Sequence, residues 1–184
     1  DWSSDVCSSD LDNLKSYLHL HVIVFIWGFT AVLGKLISLE ALDLVWYRML
    51  FASVIMTFVV LFNKEKIRVP FNVLIGFIVS GIIIALHWLT FYQAIKVSNV
   101  SITLACLSTG AFFASILEPI FYKRKVIWYE LFFGIIVVVG LGIIFNVETK
   151  YTTGIYLAVT SAFLSALFSV INGKYAKEYE PNII

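Results

Sequence analysis

Several residues able to bind solutes or transfer protons stand inside long apolar stretches of this 184-residue chain. His87 lies within the apolar stretch 72–95, and by spacing its helical face also carries Ser80, Ile84, Thr90 and Ala94. Ionisable groups at such depth are costly, so they usually face protein or a water-filled cavity. Because histidine titrates near neutral pH, His87 is a candidate for proton relay or solute contact. The structural alternative is a neutral histidine hydrogen-bonded to a neighbouring helix.

A carboxylate stands near the end of another apolar stretch, where Glu118 precedes Pro119. The proline removes the backbone bond that its N–H would give to the Ser115 carbonyl, which loosens that turn. A loosened turn beside a carboxylate suggests part of an inner gate or a coupling site. The alternative is that Glu118 extends toward the interface to meet Lys123 or Arg124.

Two cations, Lys35 and Arg48, stand near the ends of the first two apolar stretches, with Glu40 and Asp43 between them. Snorkelling of the side chains to the interface and ion pairing in the loop explain both residues. The functional hypothesis is that they form a positively charged entrance for anionic or zwitterionic solutes. Four aromatic residues stand near mid-stretch, away from the interfacial belts where Trp and Tyr collect: Trp27, Trp88, Tyr92 and Phe112. Aromatic walls suit amphipathic metabolites, although ordinary packing explains these residues as well.

The stretch 99–122 is long enough to cross a bilayer as one helix. Its small and polar residues recur at steps of three or four, as Ser101, Ala105, Ser108, Ala111, Ser115, Glu118 and Tyr122. The opposite face, which we expect to meet lipid, carries Ile102, Leu104, Phe113, Ile116 and Leu117. A helix with such a polar face belongs beside a cavity or a tight helix contact. Ser101, Ser108 and Ser115 are therefore candidate pathway residues.

The amino-acid composition indicates that these stretches lie in a membrane. Hydrophobic residues make up 60% of the chain and the mean hydropathy is +0.93, whereas soluble domains are roughly 45–50% apolar. A net charge of +1 with dispersed basic residues gives no basis for nucleic-acid binding. Cys7 and Cys106 do not form a disulfide framework, and His19 and His21 are spaced for different helical sides. No nucleotide loop, metal spacing or catalytic nucleophile is evident, so we expect no cofactor and no enzyme activity.

Six apolar stretches of about twenty residues predict an all-α polytopic bundle: 17–37, 42–62, 72–95, 99–122, 127–146 and 154–175. Short links make neighbouring helices antiparallel. Nine Lys and Arg residues flank the spans on the side of the N-terminus, against two on the other side, or four with Lys35 and Arg48. The positive-inside rule then predicts a cytoplasmic N-terminus.

Both ends of the chain need separate treatment. Residues 1–11, DWSSDVCSSDL, resemble the translation of a sequencing adapter and lack the features of a signal peptide, so we exclude them from the fold. At the other end, Ile184 follows shortly after Pro181, where a further apolar stretch begins. This predicts that the sequence is a gene fragment.

A short internal sequence match suggests a repeat. The chain reads FTAVLGKLISLEAL from Phe29 and FSVINGKYAKEYEP from Phe168, which aligns Gly34-Lys35 with Gly173-Lys174. The second copy comes five spans after the first, an odd number, so it crosses the membrane in the opposite direction. Inverted-topology repeats of this kind are typical of secondary transporters.

These features together resemble the drug/metabolite transporter superfamily, EamA type, over residues 12–184. The residues that carry the resemblance are Trp27-Gly28, Lys35, Arg48, Ala94-Ile95-Lys96 and the small-residue fourth span. Departures are Leu42, where the family often has Pro (Pro181 stands at that place in the second copy), Gly110 for a fourth-span Pro, and Lys123 to Lys125 for a Gly-Glu-Arg-type turn. The resemblance implies ten spans in two inverted repeats, with 12–146 as the first repeat and 147–184 as the start of the second.

The function implied is secondary transport, by alternating access, of small amino-acid-like or drug-like solutes across a bacterial inner membrane, with export as the expected direction. The candidate substrate pathway comprises Trp27, His87, Trp88, Tyr92, Ser101, Ser108 and Ser115, and the candidate coupling or gate residues are Lys35, Arg48 and Glu118. The expected partners are a solute, the lipid bilayer, the missing C-terminal repeat and, as an option, a second copy of the chain. Two alternatives stay open: an intramembrane enzyme with catalytic residues in the missing half, and a small multidrug-type dimeric pump. The pump would need a first-span Glu that this chain lacks.

Overall fold

Helices make up nearly all of the computed structural model, which describes residues 2–63, 69–147, 149–176 and 179, with side chains described for 14–63, 69–143, 150–176 and 179. The elements in chain order are α1 (Trp2–Leu36), α2 (Ala41–Phe62), α3 (Phe71–Val97), α4 (Val100–Leu107), α5 (Gly110–Tyr122), α6 (Trp128–Val147), a 3-10 turn (Thr149–Tyr151) and α7 (Thr152–Tyr175). The described residues contain no strand.

Five segments are long and apolar enough to cross a membrane: Leu14–Leu36, Ala41–Phe62, Phe71–Val97, Val100–Tyr122 and Thr152–Tyr175. Helix α6 adds a shorter apolar stretch, Trp128–Ile143, within its described residues. The predicted all-α polytopic membrane fold is confirmed. The backbone of α1 also continues through residues 2–11, whose side chains lie outside the described residues.

The span Val100–Tyr122 is long enough to cross a membrane, as expected for 99–122, but a turn interrupts its helix between α4 and α5. Ser108 and Thr109 form a turn there, and Thr109 N–H bonds the carbonyl of Cys106, three residues back. Both hydroxyls also bond carbonyls three residues back, Ser108 Oγ to Ala105 at 2.6 Å and Thr109 Oγ1 to Cys106 at 2.7 Å. Such local bonds compete with the helical ladder. Gly110 follows directly and has the lowest helix propensity after proline.

The break and the position of α7 change which face of the fourth span is buried. Ile102, expected to meet lipid, is instead buried with Cys106 against Ile155 and Ala158 of α7, so that expectation is wrong. Thr103 and Thr109 are buried as well, whereas Ser101 and Ser108 are exposed. The side from which α7 approaches is not a property of the fourth span, so the spacing of its polar residues could not reveal which face is buried.

Helix α7 is the centre of the packing. In its most apolar window 39% of residues are buried, against 6% in α2, and it packs along α3, α4 and α5. Its inward face is made of small residues, which permit close helix approach in membranes. At Gly154, an added Cβ would lie 2.5 Å from Ser98 Cβ of the link after α3. Small side chains therefore set the α3–α7 distance.

The two Gly-Lys copies lie at opposite ends of α3. Gly34 of α1 packs on Tyr92, near the C-terminal end of α3. Tyr175, two residues after Gly173, packs on Phe77 near the start of α3, with ring centroids 5.2 Å apart. Helix α1 is thus parallel to α3 and α7 is antiparallel to α3. The two Gly-Lys segments therefore run in opposite directions, in agreement with the odd number of spans between them.

Candidate functional site

Four of the sequence-predicted site residues meet where α2, α3 and α7 come together. On α2, Arg48 places its guanidinium carbon 3.6 Å from the ring centroid of Trp88 on α3. Its Nη1 donates a hydrogen bond to Tyr92 Oη at 2.9 Å. The Trp88 and Tyr92 rings stack with centroids 5.7 Å apart and planes 23° apart. We call Arg48, Trp88 and Tyr92 the Arg48 cluster.

The packing around the Arg48 cluster explains its geometry. Tyr92 is only 3% exposed and belongs to an apolar core with Ala31, Val45 and Ile95. Gly34 leaves the room for its ring, because a Cβ at that position would overlap the Tyr92 side chain. The glycine thus lets α1 approach α3 closely enough to hold Tyr92 under the guanidinium.

The guanidinium of Arg48 turns into the bundle and not toward the loop. Among the residues that the structure describes, it forms no ion pair, and the ion pairing with Glu40 or Asp43 that we considered is not seen. A cation on an aromatic face gains about 0.5–2 kcal/mol, depending on how far it is desolvated. A positive charge at this depth is therefore held by a ring and a hydroxyl, without a neutralising carboxylate in the described residues.

His87 lies one residue before Trp88 and joins α3 to α7. Its Nδ1 is 2.9 Å from both the backbone oxygen and the Oγ of Ser161. Because a carbonyl oxygen only accepts, Nδ1 must carry a proton and donate it. Ser161 Oγ is then free to donate its own proton to the His87 carbonyl at 3.1 Å. The arrangement is the helix–helix hydrogen bond considered from the sequence, and the ring of His87 also packs on Trp88 and Phe91, with centroids 5.0 Å and 6.1 Å away.

Lys35 has a backbone partner. Its Nζ donates to the Ile95 carbonyl at 3.3 Å, at the C-terminal end of α3. Lys96 does the same in return, donating to the Ile37 carbonyl just after α1. Helix C-termini carry partial negative charge and free carbonyls, so each lysine stabilises the end of its neighbour. This geometry favours a structural role for Lys35.

A second polar group lies between the end of α5 and the start of α6. Arg124 Nη2 bonds Glu118 at 2.7 Å and Glu130 at 3.0 Å. The hydrogen bond that Arg124 donates to Glu130 raises the pKa of Arg124 above its usual value, so the guanidinium stays charged. The three residues border a cavity of about 520 Å³ that Ser115 and Gly134 also line. Glu118 thus reaches toward Arg124, as considered from the sequence, and it also borders a cavity.

The remaining predicted residues lie apart from the Arg48 cluster. Trp27 is 69% exposed on the outer side of α1, and Ser101 and Ser108 are exposed on α4 and at its end. Ser115 is buried and bonds the Phe112 carbonyl at 2.8 Å, while Phe112 itself packs on Gly134. Two partners were not predicted from the sequence: Ser161, which bonds His87, and Glu130, which bonds Arg124. Ser161 lies 74 residues after His87, and no local sequence pattern connects the two.

Within the described part of the chain, no group of three His, Cys, Asp or Glu side chains is placed to hold a metal ion. The bundle offers instead a cation, aromatic faces, a histidine and hydroxyls within apolar helices. A chain with five helices long and apolar enough to cross a membrane belongs to the class of multi-pass membrane proteins.

Comparison with known families agrees with this class. The model of the EamA-like transporter family matches residues 14–146. The chain therefore belongs to the EamA-like transporter family. Comparisons with curated proteins and with solved structures found no match. Membership in a transporter family is consistent with the expectation that the chain is not an enzyme.

Proposed function

We propose that the protein is a secondary transporter that exports small organic solutes bearing a carboxylate, amino-acid-like solutes among them, by alternating access. The observation that carries the proposal is the Arg48 guanidinium, held by Trp88 and Tyr92 without an ion-pair partner in the described residues. Guanidinium groups bind carboxylates through paired hydrogen bonds that are about twice as strong as neutral ones. A solute carboxylate would supply the charge that the site lacks, and Trp88 would contact an apolar side chain.

The broken fourth span supports a pathway on one side of α4. Ser101 and Ser108 are exposed and lie seven residues apart, on the same side of this span. Two exposed hydroxyls on one side support the proposal that this side lines a solute pathway. Discontinuous helices near the midplane are a recurrent feature of transporter binding sites.

The ion pairs at the other end of the bundle support a gate. Glu118 on α5 and Glu130 on α6 share Arg124, so a movement between these helices must break at least one bond of the guanidinium. Pro119 reduces the hydrogen bonding of the last turn of α5, where such movement is easiest. The distribution of Lys and Arg favours a cytoplasmic position for this end, in a bacterial inner membrane.

The test is transport in proteoliposomes. Vesicles containing the purified protein expressed from the complete gene, so that any second repeat is present, are supplied with labelled L-phenylalanine, L-phenylalaninamide and phenethylamine, which share a ring and differ in the carboxyl group. We expect transport of the acid in preference to the amide and the amine. Since one charge-assisted bond contributes about 1.5–3 kcal/mol, Arg48→Gln should lower transport of the acid about tenfold or more, with Arg48→Lys intermediate.

The matched control is Lys150→Gln, which removes a positive charge from the 3-10 turn near the same end of the bundle. It should leave the rate unchanged. Equal transport of acid and amide by the wild-type protein would refute carboxylate recognition by Arg48. An absence of movement of any of the three solutes would refute the proposed substrate class.

A further inference from the structure

A cavity separate from the Arg48 cluster lies between α2, α3 and α7. Its volume is about 350 Å³, which is within the range of small-molecule sites. On α3 it is lined by Ser80, seven residues and therefore about 10 Å before His87 along the helix. Asn172 of α7 lines it from the opposite side. The cavity contributes to none of the contacts of the Arg48 cluster.

The hydroxyl of Ser80 is the most unusual group in this cavity. The residue is 4% exposed, and its Oγ has no hydrogen bond. Other serines in these helices bond a carbonyl three or four residues back, as Ser98 does with Ala94 at 2.6 Å and Ser115 with Phe112 at 2.8 Å. A buried hydroxyl without a partner destabilises a protein, so Ser80 needs a partner that the cavity must supply.

The remaining lining determines which partner fits. Phe77 and Phe168 provide aromatic faces, and Ile84 and Met49 provide apolar ones. Gly81 contributes open space, because nothing lies within 4 Å of a Cβ built on it. Among the residues that the structure describes, no charged side chain lines the cavity, so a charged ligand would find no described ion-pair partner there.

We propose that this cavity is a second ligand site, which takes an uncharged organic molecule with a planar apolar body and one hydrogen-bonding amide or hydroxyl group. The polar group of the ligand bonds Ser80 Oγ and the Asn172 amide, and its body lies between Phe77 and Phe168 over Gly81. The site discriminates against charge, whereas the Arg48 cluster attracts a carboxylate. It therefore goes beyond the proposed transport activity and does not depend on the direction of transport.

Equilibrium binding tests the site directly. Labelled benzamide, benzoate and benzylamine share one ring and are neutral, anionic and cationic at neutral pH. Each is titrated against the protein in lipid nanodiscs. We expect saturable binding of benzamide and at least tenfold weaker binding of the two charged probes.

Two variants locate the binding within this cavity. Gly81→Leu fills the open space and should abolish benzamide binding, whereas Gly140→Leu, at a glycine of α6 that also has open space around it, should not. Ser80→Ala should weaken binding about five- to tenfold. Its control is Thr57→Ala, which removes an exposed hydroxyl from α2 and should have no effect.

Three results would overturn the proposal. Failure of benzamide to bind overturns the proposal, and it is also the result expected if a further helix fills the cavity. Equal binding of benzamide and benzoate, or binding that survives both Gly81→Leu and Ser80→Ala, overturns it as well. Since no transport is measured, failure here leaves the carboxylate transport test unaffected.

Discussion

The bridge between His87 and Ser161 permits a quantitative test of how α3 is joined to α7. Three hydrogen bonds are involved: Nδ1 to the Ser161 carbonyl, Nδ1 to Ser161 Oγ, and Oγ to the His87 carbonyl. His87→Phe removes the first two bonds and keeps a ring of similar size. Ser161→Ala removes the last two. The double variant loses three bonds and not four, because the Nδ1–Oγ bond is common to both single changes.

The expected energies follow from this count. A polar bond between membrane helices contributes about 0.6 kcal/mol on average and about 1.7 kcal/mol at most. Each single variant should therefore lower the free energy of unfolding by about 1–3 kcal/mol for its two bonds. The coupling energy of the cycle should equal the one shared bond, which is about 0.6 kcal/mol and no more than about 1.7 kcal/mol.

The assay is reversible unfolding in lipid bicelles by steric trapping, with the four proteins of the cycle measured side by side. A second cycle replaces Ser161→Ala by Thr160→Ala, whose hydroxyl bonds Tyr156 on the exposed side of α7. That cycle should be additive, with a coupling near zero. If the Ser161 cycle gives the same coupling as the Thr160 cycle, the shared bond between Nδ1 and Ser161 Oγ contributes nothing to helix association and the reasoning fails.

Three further predictions concern the ends and faces of the helices. Gly34→Val should destabilise the protein, because its side chain would collide with Tyr92; Gly28→Val, with open space around it, should not, and thermal unfolding distinguishes the two. Lys123 has φ of 51°, a left-handed conformation that favours glycine, so Lys123→Gly should raise the free energy of unfolding by about 0.5–1 kcal/mol; a decrease would show that the lysine side chain matters more than the backbone. In a Cys7→Ser background, Ser108→Cys should react with a membrane-impermeant thiol reagent if this side faces a water-filled pathway, whereas Phe58→Cys on the outer side of α2 should not; equal protection of both would contradict the pathway, and the buried native Cys106 should contribute little background.

The helices were predictable because each depends on a local run of apolar residues. The expected bounds of α2, α3, α6 and α7 agree with the structure to within about two residues, as composition and length alone decide them. The break at Ser108–Thr109 was missed, although a hydroxyl pair followed by Gly110 is a recognisable local signal. The expectation for Ile102 failed for a different reason, because the direction from which α7 packs is not a property of the fourth span.

The candidate site was predictable in its chemistry but not in its pairing. Arg48, His87, Trp88 and Tyr92 stood out by residue type at membrane depth, and the structure brings them together. The partner of His87 could not be found, since serines are common on the small-residue face of α7 and only packing selects Ser161. Lys35 shows a different limit. The sequence around a lysine near a helix end is the same whether its side chain binds a solute or a backbone carbonyl, and the structure shows the carbonyl of Ile95 as its partner.

The distance along the chain between His87 and Ser161 has a consequence for biosynthesis. At about 5–20 residues per second, a ribosome needs about 4–15 seconds to add the 74 residues that separate them. During that interval the histidine of α3 has left the translation machinery and its acceptor does not yet exist. The helices before α7 must therefore be held in a provisional arrangement, by lipid, water or an insertion factor, until α7 emerges and Ser161 can accept the bond from His87.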